Sequence, residues 1–416
     1  MNTEFNEKRI INRINTLLAF YILFDMLSGF FVIYFSKDLK ISLMYKLTLI
    51  VLMLFVISIK HRQTLGLILI TILTFSLGPL LHFLDFGLVS YFIFDLGVVV
   101  KTLLPIITLA YIVISNDFNK IDIYKVIDKI LLISFYLVIA NLTLGFIGIG
   151  KSTYTNGAGT TGLIYAGNEL SATFLILTGY FLTKRWLINK KSYVVYSVFC
   201  VFYAVIIATK TSLLATIIIA ITIPMIVDNS NKKVIYGMLS TAIAISVFVV
   251  FNIKPILSSI GIYDRMMWAY QQSGILGLLL SGRQEMVVDR LYYYFVNGST
   301  LEHFFGYGKA YQLFHPTNEL VAEIDVVDIL IQIGIVPLFT IAFFHILFFA
   351  YSLIQAFYTS NKMAPANCLI IFLLLCLSQI SGHIWTSGTI GITLGAFYAL
   401  VANIKIKDEC NALVLS

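Results

Sequence analysis

Charge is what this chain has least of. Only 12% of its 416 residues are charged and 59% are hydrophobic, with a mean hydropathy of +0.92. A soluble domain carries roughly 25% charged and about 45–50% apolar residues, so a soluble globular fold is excluded. Cysteine is scarce too. Cys200, Cys368 and Cys376 fall in apolar runs and Cys410 lies near the C-terminus. None lies in the long polar stretch of the chain, which speaks against a disulfide framework or a cysteine metal site. There is no repeat of fixed period, no low-complexity tract and no coiled-coil heptad. The formal charge of +7 and pI near 9.0 are the signature of lysines gathered on one side of a membrane, so no nucleic-acid partner is implied.

What is present is apolar sequence in lengths that cross a bilayer. About 20 apolar residues are needed for a helical span. That rule predicts an all-α polytopic protein with about twelve spans, near 16–36, 41–59, 64–83, 91–115, 130–149, 164–183, 193–209, 212–228, 234–253, 325–353, 365–381 and 388–404. The first fifteen residues are polar and no small-residue cleavage signal follows the first run, so that run is expected to stay as a helix. With the N-terminus inside, seventeen of the 28 Lys and Arg lie in inner segments and ten in outer ones, five of these in one long loop. Long loops count little in the positive-inside rule, so both termini are expected in the cytoplasm. Three regions follow: 1–253 with nine spans, an extracytoplasmic loop at 254–323, and 324–416 with three spans and a short tail.

The loop is not simply hydrophilic. Ile262 to Tyr270 mixes aromatic and charged residues as an interfacial helix does, and Gly274 to Leu280 is apolar enough to dip into lipid. Gln284 to Val296 reads as a helix, and Gly306-Tyr307-Gly308 as a tight turn. A structured cap over the outer mouth is the expectation.

The titratable residues gather there. Glu323, Asp325 and Asp328 stand at the edge of a span, where carboxylates are costly unless cations or ligand groups meet them. Asp325 and Asp328 share a helix face, and Asp325 can instead serve the positive helix N-terminus. Glu323 sits just outside them, in the position of a partly desolvated general base. Arg283 and Arg290 are seven apart, so one helix face can present both, and arginine's planar fork suits a diphosphate. Arg265 is a weaker candidate of the same kind. Ordinary solvated arginines paired with Glu285 and Asp289 are the alternative. Lys210, in Ala208-Thr209-Lys210-Thr211-Ser212, separates two apolar runs at the outer edge. It either snorkels there or joins the neighbouring hydroxyls on a phosphate. Asp25, Asp95 and Lys101 lie in early spans, where an Asp–Lys pair across helices is the expected arrangement. Asn168 and Glu169 stand at the outer start of a span. His303, His315 and His383 have no metal-ligand spacing, and no metal or cofactor is expected.

Four of these stretches, in order, resemble the O-antigen polymerase/ligase superfamily, the Wzy- and WaaL-type membrane glycosyltransferases of bacterial surface polysaccharides. They are Gly162 to Ala172 with Asn168, Thr209-Lys210-Thr211, Ser281-Gly282-Arg283, and Phe305-Gly306-Tyr307-Gly308. The resemblance covers roughly 157–338. Ligases of that group end their large loop with His and an amide or Ser, nine residues, then Gly-x-x-Gly, Thr or Tyr. Here the frame holds Glu323-Ile324 and Gly334-Ile335-Val336-Pro337, with Glu in place of His.

The resemblance implies a GT-C-like fold in the bacterial cytoplasmic (inner) membrane. It implies metal-independent transfer of a glycan from an undecaprenyl-diphosphate-linked oligosaccharide to a sugar hydroxyl of another lipid-linked repeat unit. Lys210, Arg283 and Arg290 would hold the diphosphate, Glu323 would accept the proton, and Asp325, Asp328, Asn168 and Arg265 would bind or orient substrate. Membrane lipid, a chain-length regulator and a flippase are the partners this implies. Two alternatives stand beside polymerisation: ligation of a finished glycan to lipid A core or another acceptor, and transport of the same lipid-linked oligosaccharide.

Overall fold

The computed structural model describes residues 2–119, 122–154, 157–227, 283–314 and 322–404, with scattered positions between 267 and 280. The predicted span at 234–253, Arg265, Ser281, Gly282, His315 and Cys410 lie outside the described residues. Nine helices come first: α1 (Asn2–Ala19), α2 (Tyr21–Phe35), α3 (Ile41–Lys60), α4 (Arg62–Phe86), α5 (Val89–Asn119), α6 (Ile123–Phe146), α7 (Gly167–Ile188), α8 (Lys190–Ile207) and α9 (Lys210–Val227). A small antiparallel hairpin, β1 (Lys151–Ser152) and β2 (Thr160–Gly162), joins α6 to α7. The segment before residue 315 gives α10 (Arg283–Asn297), α11 (Thr300–Phe305) and α12 (Tyr311–Phe314). Then follow α13 (Asp325–Ile333), α14 (Ile335–Tyr358), α15 (Ala364–Ile380) and α16 (Gly388–Ala402).

The chain is an all-α polytopic membrane protein. Seven described helices are long and apolar enough to cross a bilayer, and eight if α1 and α2, bent by 45° at Phe20, form one span. Their outer faces carry Phe, Leu, Ile and Val in contact with the surroundings, as lipid-facing helices do.

Two helices sit at the centre. From Gly388 to Val401 every residue of α16 is buried, and α7 is buried along most of its length. The glycines of α16 explain its position: a side-chain carbon at Gly391 would stand 2.8 Å from Leu104, and one at Gly395 2.6 Å from the Pro105 carbonyl. Small residues four apart let α5 lie directly on this helix, the usual way membrane helices gain van der Waals contact.

The predicted single span at 325–353 is two helices. Gly334, at φ 89°, ends α13 after nine residues, and α14 starts afresh as the span. The reason lies in the Gly306 turn. Gly306 packs its backbone against this break, where an added Cβ would approach the Ile333 amide to 2.5 Å, and the Tyr307 N–H donates to the Ile331 carbonyl at 2.6 Å. The Phe-Gly-x-Gly turn is thus a docking element. Around it a second, smaller core forms from Tyr294, Tyr307, Tyr311, Ala322, Ile324, Val327, Leu330 and Ile331. Its other anchor is α5, where Asp95 accepts the Lys309 N–H at 2.8 Å and the Lys309 ammonium lies over the Phe94 ring.

The early-span charges pair differently from the expected Asp25 or Asp95 with Lys101. Asp25 of α2 meets Lys46 of α3 at 2.5 Å, both buried, and also accepts from Ser42. Asp95 is taken by a backbone amide. Lys46 lies one turn into α3, within reach of α2, and that nearness gives it the pair.

Candidate functional site

The first turn of α7 organises the site. Asn141 of α6 positions it from below by donating to the Thr161 carbonyl at 2.8 Å and accepting from the Leu163 amide at 2.7 Å. That fixes β2 and the four residues leading into the helix. Asn168 and Glu169 then leave the helix start towards two different neighbours.

Asn168 reaches Glu323. Its Nδ2 lies 3.4 Å from the Glu323 carboxylate and 3.3 Å from the Ser381 carbonyl. Arg283, the first residue of α10, closes the cluster: its Nε donates to Glu323 at 2.9 Å, a second guanidinium nitrogen contacts the same oxygen, and Nη1 donates to the Ile380 carbonyl at 3.0 Å. The cation therefore caps the C-terminal end of α15, where the helix dipole is negative. The side chains are only part-buried, Arg283 at 14% and Glu323 at 39% exposed. Glu323 has φ 58°, the left-handed region, against Gly382 and His383 at φ 58° and 59°. A non-glycine residue held there costs roughly 1–3 kcal/mol and is kept only where its surroundings fix it.

Glu169 turns the other way, accepting from the Ser387 hydroxyl at 2.7 Å. Ser387 also caps α16, accepting from the Thr389 and Ile390 amides. Between Ser381 and Ser387 the chain wraps Asp325, whose carboxylate accepts the Ile384 N–H at 2.9 Å, the Trp385 N–H at 3.1 Å and the Thr386 hydroxyl at 3.2 Å. This segment links Glu323, Asp325 and Glu169, and sequence reasoning missed it. Its signal was Ser381-Gly382-His383, a polar break with glycine between two apolar runs.

The two aspartates expected to face substrate are inside the protein. Asp325 and Asp328 are 0% and 1% exposed, because the small core closes over the first turns of α13. Asp328 accepts the Ala322 N–H at 2.5 Å. The pair precedes the span that starts at Ile335. Burial pushes Asp328 up to about 7; the Ala322 amide, His383 and Arg290 pull against that, and Asp325 adds to it. Burial raises Asp325 as well, against the pull of the two amides, His383 and Thr386. Arg290 is also buried, at 3% exposure, with its charge bearing on Asp328. Its burial beside Asp328 ties α10 to α13, and of the two arginines Arg283 is the more exposed.

Lys210 opens α9 after a two-residue break in which Ala208 is left-handed at φ 59°. Its neighbour Thr209 hydrogen bonds Ser171 of α7 at 2.7 Å, one turn beyond Asn168. Lys210 is thus brought to the same end of α7 as Glu323. A lysine at a helix N-terminus opposes the dipole there, so helix capping does not account for it. Among the described residues no group of three or more His, Cys, Asp or Glu could hold a metal ion.

No family model matches this chain, and no curated protein matches it significantly.

Proposed function

We propose that this protein is a polymerase of lipid-linked surface glycans. It transfers a glycan from a polyprenyl diphosphate to a sugar hydroxyl of a second lipid-linked repeat unit, on the outer face of a bacterial cytoplasmic membrane. About twelve spans and cytoplasmic termini belong to this reading, as does an outer cap built from 254–323. The observation that supports it best is the part-exposed Arg283–Glu323 pair, held by Asn168 at the mouth formed by α7, α10 and α15.

The pair suits a substrate-triggered reaction. An incoming diphosphate competes with the Glu323 carboxylate for the guanidinium, a bidentate cation well matched to phosphate oxygens. Displaced, Glu323 is free to take the proton of the acceptor hydroxyl. The acceptor oxygen bonds to the anomeric carbon, the bond from that carbon to the diphosphate oxygen breaks, and polyprenyl diphosphate departs with its charge held by Arg283 and Lys210. Arg290, Asp325 and Asp328 keep α10 and α13 in place for this.

The test is extension by purified protein supplied with an undecaprenyl-diphosphate-linked repeat unit. A ladder of products with no other acceptor supports polymerisation. Product only when a lipid A core is added makes the protein a ligase, and passage across a vesicle bilayer without new bonds makes it a transporter.

A further inference from the structure

A cavity of about 190 Å³, lined by none of the residues of the Arg283 cluster, is left unused by the preceding reading. It opens between α2, α3 and α5 at the start of α16, and Ser28, Asp38, Lys40, Ser42, Lys46 and Lys101 supply its polar lining. Three ammonium groups face one lining carboxylate, and that carboxylate, Asp38, is paired with Lys40. Lys46 spends one donor on Asp25 and another on Ser42 at 2.9 Å, and an ammonium has three. Lys101 is half-buried and, among the described residues, makes no hydrogen bond or ion pair, although Glu169 and Asp38 both feel its charge. Gly388 forms the floor: a Cβ there would come within 3.2 Å of Lys101 and 3.6 Å of the Lys46 ammonium, so both lysines meet over bare backbone. That backbone is the first turn of a 15-residue helix, whose positive end adds to the lysines.

Asp38 and Asp25 already meet Lys40 and Lys46, and Glu169 feels the charge of Lys101, so what the cavity offers an anion is unused donors: the third of Lys46 and, among the described residues, those of Lys101. One water takes about 30 Å³ of liquid, so the space is that of a few waters, the scale of a diphosphate and not of an oligosaccharide. Joining two lipid-linked units requires two diphosphates in the protein at once, and the Arg283 cluster provides for one. We propose that the Lys46–Lys101 cavity is the second diphosphate subsite, holding one lipid-linked substrate while Arg283 holds the other. The assignment to substrate rests on the polymerase reading; the anion site stands on the cavity itself. Glu169 accepts from Ser387, the residue before Gly388 of the cavity lining, and follows Asn168, which contacts Glu323.

Inorganic pyrophosphate binding to the full-length protein in detergent tests the site without any reaction. Calorimetry is expected to find two equivalents per chain, with one lost in Lys101→Gln combined with Lys40→Gln, or weakened roughly ten-fold. The other is lost in Arg283→Ala, and Lys101→Arg keeps both. Lys46 is left intact because removing it would strand Asp25. Unchanged pyrophosphate binding in the folded Lys40/Lys101 variant overturns the proposal. Repeating the titration in nanodiscs separates the sources of phosphate. Competition by undecaprenyl diphosphate in zwitterionic nanodiscs supports the substrate assignment. Displacement of pyrophosphate by phosphatidylglycerol alone overturns it in favour of a lipid headgroup. Lys101-dependent binding in a protein that forms no glycan ladder supports the anion site and removes the polymerase reading, so the two fail separately.

Discussion

Among the ion pairs of the described residues, Lys46–Asp25 and Arg283–Glu323 differ mainly in access. Lys46 and Asp25 are 6% and 5% exposed; Arg283 and Glu323 are 14% and 39% exposed. The first pair is buried between α2 and α3, with Lys46 also at the edge of the cavity there, and has the character of a structural clasp. The second is part-exposed, its carboxylate shared with Asn168 and its cation with a helix end. A buried pair loses much when one partner goes, because the other is left charged and dry. A pair at an open edge contributes little to stability, and its groups can change partners.

Removing Asp25 should have the largest effect. Asp25→Ala strands a buried ammonium and is expected to cost about 3–5 kcal/mol, read as a large fall in melting temperature in detergent. Adding Lys46→Met should recover most of it. If Asp25→Ala melts as wild type does, the contrast between the pairs disappears. Arg283→Ala should show the opposite pattern, with stability changed by about 1 kcal/mol or less and chain extension down roughly 10²–10³-fold. Glu323→Gln should also stop extension at normal protein level, and full-length polymer from that variant would remove Glu323 from the chemistry.

Asp325→Ala sharpens the comparison from the side of the loop it holds. It leaves two buried amides unmet and should cost about 1–3 kcal/mol. Asp328 predicts a pH effect. Its folded value near 7 lies above the ordinary 3.8, so the native state binds the proton more tightly and this group's contribution falls as pH rises between those values. Thermal melts across that window should slope less steeply in Asp328→Asn than in wild type, where His383, Asp325 and Arg290 surround the carboxyl. The smallest change is expected at Ser299, which caps α11 in a reciprocal arrangement with Glu302. Ser299→Ala should cost about 1 kcal/mol and leave the distant Arg283 cluster untouched.

Much of the architecture was legible because lipid imposes a simple rule on sequence. Runs such as 41–59 and 91–115 need only length and apolarity to be read, and helices stand there as α3 and α5. Gly334 was harder. Its neighbours on both sides are apolar, so hydropathy runs straight through it, and only docking of the Gly306 turn shows why the helix stops.

The candidate site divides in the same way. Arg283, Glu323 and Asn168 carry charge or amide groups at predicted membrane edges, where such groups are expensive enough to draw notice. Arg290, Asp325 and Asp328 drew notice for the same reason, but local sequence does not say whether a carboxylate at a helix start faces water or the interior. The small tyrosine-rich core decided that, by closing over α13. Lys101 was read as half of a pair with an early-span aspartate, and packing of α2 on α3 gave that partner to Lys46 instead.

Sequence by itself determined that this is a helical membrane protein and which few polar residues its apolar mass must accommodate, because burying charge and leaving lipid-exposed backbone unpaired are penalised residue by residue. Tertiary structure alone decided which of those residues meet. Partners such as Asn168, Arg283 and Glu323, up to 155 positions apart, are joined by helix packing that no local pattern encodes.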